Sequence, residues 1–372
     1  MDLSAEDSLR LNVLLNQDLQ AIRINDSKMI VYGLSDRGEA KIQLNPNCQD
    51  EKYIKQVKEL ISSHVLGSPG GYPVFLRRWT RMGQARDESL ESLLKLGEPE
   101  AVVAVVHASG LTDDLAYRAW WAMPTASNAR CMLKNEAVIN GSMGKELAEY
   151  LIDYLPFEEE AKDIIQSVSL VLQGDLVNEE TRQSLWSRGQ RKNAYLVGFL
   201  KTTPNNVLLE SQVHTEYENI RSSLENVSIQ SSAIAKKLLK VLDASGQAFL
   251  KTVITVMKKP ANQDVVIALL AAVQEYFHLY ELEPEHIVDI DAIIKQVDTD
   301  IDTAKYPEIN DLLNSASDIR QMIKAIMVLS RVGEHIVTPV FSRSDAIGTV
   351  MRKNLEPVFE PLHIQIQHIM RG

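Results

Sequence analysis

Four arginines and one tryptophan stand close together directly after a glycine-rich segment of the chain. That segment, Gly67-Ser68-Pro69-Gly70-Gly71-Tyr72-Pro73, has the composition of a loop. Guanidinium groups bind carboxylates and phosphates through paired hydrogen bonds and stack on aromatic rings. The stretch therefore indicates a site for a small anion or an acidic partner. Alternatively, the loop joins two domains and the arginines pair with neighbouring carboxylates. The candidate binding residues are Tyr72, Arg77, Arg78, Trp79, Arg81 and Arg86.

Two adjacent tryptophans, Trp120 and Trp121, form a second candidate binding site beside Tyr117 and Met123. Tryptophan is enriched among the residues that dominate the binding energy of protein interfaces. Consecutive residues of a helix point about 100° apart, so we expect one indole in the core and the other on the surface. Packing of both rings within the core is the alternative.

The two cysteines, Cys48 and Cys131, are candidates for redox or sulfur-carrier chemistry. Two cysteines are too few for a disulfide framework. A reactive thiolate needs solvent exposure and positive neighbours, and Arg130 lies next to Cys131. Cys48 follows Asn45-Pro46-Asn47, which predicts an exposed loop. A buried, inert thiol is the alternative for Cys131.

Patterns typical of cofactor sites are incomplete in this chain. The stretch 139–146 resembles a phosphate-binding loop but has Ile139 in place of the first glycine and Glu146 in place of the final hydroxyl. We therefore expect Ser142 to cap a helix. Asp298, Asp300 and Asp302 have the spacing of a calcium loop without its glycine or its final glutamate. The acidic stretch 281–302 instead indicates a solvated face or a surface for a basic partner.

No zinc, nucleophile-elbow or dinucleotide-binding pattern is found in the sequence. We therefore expect no catalytic residues, no metal and no cofactor. The formal net charge of −11, from 39 basic and 50 acidic residues, argues against nucleic-acid binding. The longest apolar run, Val265 to Val273, is too short to span a membrane, and the first residues lack the pattern of a secretory signal. A cytoplasmic protein is expected.

Apolar periodicity indicates a mainly α-helical fold with a small α/β unit at the N-terminus. Alternation within 21–24 and 40–44, with an apolar and β-prone stretch at 29–32 between them, predicts a three-stranded antiparallel meander, packed against a helix at 50–64. Helical periods dominate from about residue 87, and a long helix is expected at about 308–331. Pro357 and Pro361 are expected to break the C-terminal tail. We predict three domains: an α/β unit (1–80), a helical array (81–203), HEAT-like or irregular, and a helical bundle (204–372).

Three strings of the sequence resemble one known family. YGLSDRGEAKIQLNP, HVLGSPGGYPVFLRRWTRMGQARDESLE and LAYRAWWAMPTASNARCML are similar to the DsrS-type sulfur-reduction proteins of the dissimilatory sulfite reductase cluster. The similarity runs through roughly the first 200 residues and is fainter beyond them. It implies a soluble accessory or regulatory protein of sulfur metabolism, and it implies neither a reaction nor active-site residues.

The leading functional hypothesis is a non-catalytic cytoplasmic accessory protein of sulfur metabolism that acts through protein–protein contacts. A sensor that binds a small anion at the arginine-rich stretch is the first alternative. A sulfur carrier that uses Cys131 or Cys48 is the second. Each alternative rests on residue types that suit its chemistry, and none rests on a complete catalytic motif.

Overall fold

The computed structural model of the chain describes residues 3–67, 87–224, 232–279, 287–315 and 319–370. The protein is mainly α-helical, with a single three-stranded antiparallel sheet within the described ranges. The strands are β1 (Leu19–Asn25), β2 (Ile30–Ser35) and β3 (Gly38–Gln43). The predicted fold class is therefore confirmed, including the N-terminal meander.

Twenty α-helices lie in these ranges, with short 3₁₀ turns at Asp26–Lys28, Leu155–Phe157 and Glu334–Ile336. The helices are α1 (Ala5–Leu15), α2 (Asp50–Leu66), α3 (Asp87–Leu94), α4 (Pro99–Val106), α5 (Asp113–Ala122), α6 (Ala126–Met132), α7 (Glu136–Ile139), α8 (Met143–Tyr154), α9 (Ala161–Val171), α10 (Glu179–Gly189), α11 (Ala194–Thr202), α12 (Tyr217–Leu224), α13 (Ala233–Leu242), α14 (Ala244–Lys258), α15 (Gln263–Phe277), α16 (Ile290–Asp302), α17 (Pro307–Ser315), α18 (Arg320–Leu329), α19 (Thr338–Phe341) and α20 (Gly348–Ile369).

The chain divides into two compact units, which are described separately. The N-terminal unit comprises Met1–Pro156 and Gln173–Val177, and the C-terminal unit comprises Phe157–Leu172 and Asn178–Gly372. The domain boundaries expected near residues 80 and 203 stay predictions. No helix in the described ranges combines the length and the apolar character needed to cross a membrane.

The sheet of the N-terminal unit has side chains of different character on its two faces. Ile22 of β1, which pairs with Gly33, and Val31 of β2, which pairs with Ile24, are buried among residues of α1 and α2. Arg23 and Tyr32, which are direct partners across β1 and β2, point to the opposite face because side chains alternate along a strand. Helices α3 and α5 contact β1. Gly38 begins β3 with a φ of 106°, a conformation that L side chains rarely adopt.

In the C-terminal unit, α15 lies at the centre and contacts α9, α11, α14 and α18. Its sequence is apolar almost throughout, which is typical of a helix buried on all sides, and eight of its side chains are buried, from Val265 to Phe277. Helix α20 packs mainly against α18. These contacts place the C-terminal half of α14 and one face of α20 in the same unit, where they line a groove that is described below.

Two expectations about the C-terminal unit were wrong. The helix expected at 308–331 is two helices, α17 and α18, with residues 316–318 outside the described ranges. Pro357 and Pro361 do not break the tail, because both lie inside the 22-residue helix α20. Each proline removes one backbone hydrogen bond, but α20 buries a stripe of apolar side chains on both sides of them, including Leu355, Val358 and Leu362.

Candidate functional site: an aromatic patch in the N-terminal unit

The predicted arginine-rich site lies outside the described residues. Tyr72, Arg77, Arg78, Trp79, Arg81 and Arg86 all fall within residues 68–86. Their proposed binding of an anion or an acidic partner therefore stays a prediction. The other candidates, Trp120, Trp121, Cys48 and Cys131, are described, and the structure gives each of them a distinct environment.

Asp113 joins α5 to α8. From the first turn of α5, its carboxylate accepts hydrogen bonds from the backbone N–H of Ser142 (2.8 Å) and of Met143 (3.0 Å), and from the Ser142 hydroxyl (2.7 Å). Burial alone would raise the pKa of this carboxyl, but the bonds from Ser142 and Met143 outweigh it, so the pKa lies below its ordinary value. Ser142 occupies the N-cap position of α8, as expected, but its hydroxyl forms no capping bond and donates to the Asp113 carboxylate instead.

Two glycines make this junction possible. A Cβ atom at Gly141 would lie 2.2 Å from the Asp113 carboxyl group, and one at Gly144 would lie 2.6 Å from the carbonyl oxygen of Ile139. A side chain at either position therefore requires the turn before α8 to shift. These glycines made the stretch resemble a phosphate-binding loop. In the structure they allow α5 and the start of α8 to approach each other closely.

The junction positions four aromatic side chains, which we call the aromatic patch: Tyr117, Trp120, Tyr150 and Tyr154. Trp120 meets Tyr150 edge to face, with ring centroids 4.7 Å apart, and Tyr150 stacks on Tyr154 at 6.0 Å. Tyr117 precedes Trp120 by three residues and so lies on the same side of α5. The rings stay accessible, because Tyr117 is 45% exposed and Tyr154 is 38% exposed.

Acidic residues border the aromatic patch along α8. Glu146 and Asp153 are both exposed and lie four residues before and three residues after Tyr150, which places them beside that ring on the helix surface. Neither carboxylate forms an ion pair with any described residue. The patch therefore combines electron-rich ring faces with uncompensated negative charge.

Trp121 points away from this patch, toward the sheet. Its indole Nε1–H donates to Glu39 at 3.0 Å, and its ring lies 4.9 Å from the guanidinium of Arg23. The same guanidinium lies 4.6 Å from the ring of Tyr32 and 3.3 Å from the Glu39 carboxylate. The neighbouring tryptophans thus differ in role: Trp121 joins α5 to the sheet within the N-terminal unit, whereas Trp120 contributes to the aromatic patch.

The cysteines show no sign of activation. Cys131 is half-buried on α6, with its Sγ 3.4 Å from the carbonyl oxygen of Val106. Burial raises the pKa of this thiol, although the charge of Lys134 opposes the change. Cys48 is also half-buried, and it packs against the core between α1, α2 and the sheet. At Cys131 the charge of Lys134 does not outweigh burial, so the structure adds no support for the sulfur-carrier hypothesis at this residue.

The acidic stretch 281–302 is described from residue 287 onward, and in this part three aspartates of α16 are ion-paired, whereas a solvated face was expected. Asp298, Asp300 and Asp302 each meet a basic side chain of the C-terminal unit, because α16 packs beside α18, and Asp291 is exposed. No group of three potential metal ligands lies together in the described ranges. The ion pairs are Asp298–Lys324 (2.7 Å), Asp300–Arg331 (2.7 Å), Asp300–Lys305 (3.6 Å) and Asp302–Arg320.

Asp300 and Arg331 form a buried pair, each side chain only 2% exposed. Burial raises the pKa of the Asp300 carboxyl, but hydrogen bonds from Arg331 and Gln296 and the charges of Arg331 and Lys305 together bring it below its ordinary value. The Nε and Nη1 atoms of Arg331 are buried without hydrogen-bond partners. The hydrogen-bonding capacity of the pair is therefore met at the Asp300 carboxylate but only partly met at the Arg331 guanidinium.

Sequence analysis missed one unusual lysine. Lys237 of α13 donates a hydrogen bond from Nζ to the backbone oxygen of Tyr276, and it lies 5.3 Å from that tyrosine's ring. Burial, and secondarily the charge of Lys240, lowers the pKa of Lys237 to about 8. The bond satisfies a carbonyl in the last turn of α15, which assigns Lys237 a helix-capping role. No sequence motif marks such a position, since it depends on two helices meeting.

Comparison with known proteins adds no relative to this picture: no family model, curated protein or solved structure matches the chain. The functional argument therefore rests on the residues and geometry described above.

Proposed function

We propose that this chain is a non-catalytic accessory protein that binds a partner protein through the aromatic patch. One observation carries the proposal: the rings of Trp120, Tyr150 and Tyr154 contact one another in series, and Tyr154 and the nearby Tyr117 are partly exposed. Tyrosine and tryptophan anchors dominate the binding energy of protein interfaces because they bury a large apolar area with few rotatable bonds. Rigid placement by the Asp113 junction reduces the entropy lost on binding.

The charge beside the patch indicates the chemistry of the partner. Lysine and arginine side chains are attracted both to ring faces and to carboxylates such as Glu146 and Asp153. A basic segment of a partner protein would therefore contact the rings of the patch and neutralise the acidic border. This complementarity would also accelerate association at low ionic strength, because opposite charges steer the encounter.

The family resemblance suggests where this role operates. It implies an accessory or regulatory protein of sulfur metabolism in the cytoplasm, and the partner is then expected among components of the dissimilatory sulfite reductase system. This context rests on the resemblance alone. Identification of the proteins that co-purify with the chain from its source cell would test both this context and the identity of the partner.

The decisive experiment compares co-purification by the natural chain with that by two surface variants, Tyr117→Ser and Asp153→Lys. We expect both to lose the partner, because one removes an exposed ring and the other reverses a bordering charge. Titration calorimetry with the purified partner then measures the loss, which we expect to be at least ten-fold for each variant, about 1.4 kcal/mol. Raised salt should weaken binding of the natural chain.

Leu9→Ser provides the matched control, because Leu9 is 66% exposed in the same unit but lies on α1, outside the aromatic patch. It should bind like the natural chain. Unchanged binding by both patch variants, at unchanged melting temperature, would contradict the proposal. A partner that binds through an acidic surface would contradict the assignment of charge.

A further inference from the structure

The C-terminal unit contains a groove between α14 and α20 with a volume of about 670 Å³. Ile254 and Met257 of α14 form one side, and Phe359 and Ile364 of α20 contribute apolar surface to the other. Ile364 is 51% exposed, although most large apolar residues of α20 are buried. The groove is therefore an apolar surface that no described part of the chain covers.

The shape of the groove indicates the form of its occupant. The residues that α20 contributes run from Thr349 to Ile364 at intervals of three and four, so they follow one face of the helix. At 1.5 Å per residue, this face is about 22 Å long. A helix of about fifteen residues matches that length, and such helices lay their apolar faces into hydrophobic grooves.

Charges in the groove specify the occupant further. Lys258, Arg352 and Lys353 line it together with two carboxylates, Glu356 and Glu360. Within the described ranges, Lys258 and Lys353 form no ion pair, and Arg352 donates only to the hydroxyl of Thr349, at 3.0 Å. The groove is therefore lined by three cations and two anions beside its apolar floor, which gives it a small excess of positive charge, and none of the three cations is held in an ion pair with a described residue.

We infer that this groove binds an amphipathic helix of a partner protein that carries acidic side chains beside its apolar face. The apolar face covers Met257 and Ile364, and the acidic side chains pair with Lys258, Arg352 and Lys353. The site lies in the other unit from the aromatic patch and has the opposite preference in charge. It therefore adds a second binding function, and neither depends on the other.

A direct test uses a fluorescent peptide of sixteen residues, helical and amphipathic, with leucines on one face and glutamates beside them. Its affinity for the full chain is measured by fluorescence anisotropy, alongside a matched peptide with lysine at every glutamate position. We expect the acidic peptide to bind at least ten-fold more tightly. Arg352→Glu combined with Lys353→Glu should reverse this preference.

Ile364→Asp should weaken binding of the acidic peptide at least ten-fold, whereas Val350→Asp should leave that binding unchanged. Val350 is 58% exposed on the same helix but does not line the groove, which makes it the matched control. Lys258→Glu, an exposed position on α14, provides a second test if Ile364→Asp lowers the melting temperature.

Three outcomes would overturn the inference: no binding of either peptide, equal binding of both, or equal effects of the variants at Ile364 and Val350. Sedimentation of the chain alone adds a fourth. A dimer that Ile364→Asp dissociates would show that a second copy fills the groove.

Discussion

Replacing Asp113 by alanine tests whether one carboxylate holds α5 against α8. The substitution removes the acceptor of three hydrogen bonds, two from backbone amides at the start of α8 and one from the Ser142 hydroxyl. Loss of a helix N-cap costs about 0.5–2 kcal/mol, and a further bond to a charged acceptor brings the expected loss to about 2 kcal/mol. For a unit of this size, the melting temperature should fall by about 4–8 °C.

The assay is urea unfolding at several pH values, combined with hydrogen exchange of peptides that span the start of α8. The pKa of Asp113 is lower in the folded protein than its ordinary value of 3.8. Its stabilising contribution is therefore complete above about pH 4 and disappears as the pH falls through the lowered pKa. The difference between the natural chain and Asp113→Ala should shrink in acid, and amide exchange at Ser142 and Met143 should accelerate in the variant.

Asp114→Ala is the control, since that side chain is 60% exposed and its close partner is Arg118 one turn along α5. Arg118 is only 14% exposed, but it keeps Glu91 as a second partner at 3.8 Å, so loss of the exposed Asp114 carboxylate should lower the free energy of unfolding by about 1 kcal/mol or less. Gly141→Ala should also destabilise the folded protein, because its new Cβ atom would collide with the Asp113 carboxyl group. The loss of stability from Gly141→Ala should therefore be smaller in the Asp113→Ala background than in the natural chain. Equal effects of Asp113→Ala and Asp114→Ala, or unchanged exchange at the start of α8, would refute the reasoning.

Three further measurements address groups that the structure buries. In a double-mutant cycle, Asp300→Leu should lower the free energy of unfolding by about 3–5 kcal/mol, because it leaves the buried charge of Arg331 without its partner. Arg331→Met should lower it less, because Asp300 keeps two other polar partners. Additive effects of the two substitutions would refute the coupling. Trace acylation followed by mass spectrometry should give Lys237 a titration midpoint near 8, and a midpoint near that of an ordinary lysine would show that it is not buried. Cys131 should resist persulfide formation at neutral pH, because burial raises the pKa of its thiol, and ready modification by polysulfide would argue for the sulfur-carrier alternative.

Local sequence rules account for most of the secondary structure. Period-two alternation located two of the strands, and an apolar, β-prone stretch located the third. Thr112, a residue type that favours the N-cap position, accepts a hydrogen bond there from the backbone N–H of Leu115. Such signals act over three or four residues, and single-sequence patterns therefore record them. Pro99, in the first turn of α4, stands at a position where proline favours the start of a helix.

Errors arose where packing outweighed a local signal. Pro357 and Pro361 are strong helix breakers in isolation, yet both lie within α20. Because the sequence predicted a broken tail there, the face of α20 that lines the groove could not be anticipated. Likewise, spacing predicted a solvated acidic face on α16, but Asp298 and Asp300 both meet basic partners that lie more than 25 residues further along the chain.

In the candidate site, too, local sequence patterns predicted some features and long-range packing decided the others. The sequence identified Trp120 and Trp121 as notable and expected them to point in different directions, because helical geometry alone separates neighbouring residues. It gave no means to choose between them. That choice depended on Asp113 reaching the start of α8, which brings Tyr150 and Tyr154 beside Trp120 and leaves Trp121 to the sheet. Composition and period therefore determined the helices and their buried stripes, whereas contacts between residues distant in the chain decided which surfaces stayed exposed.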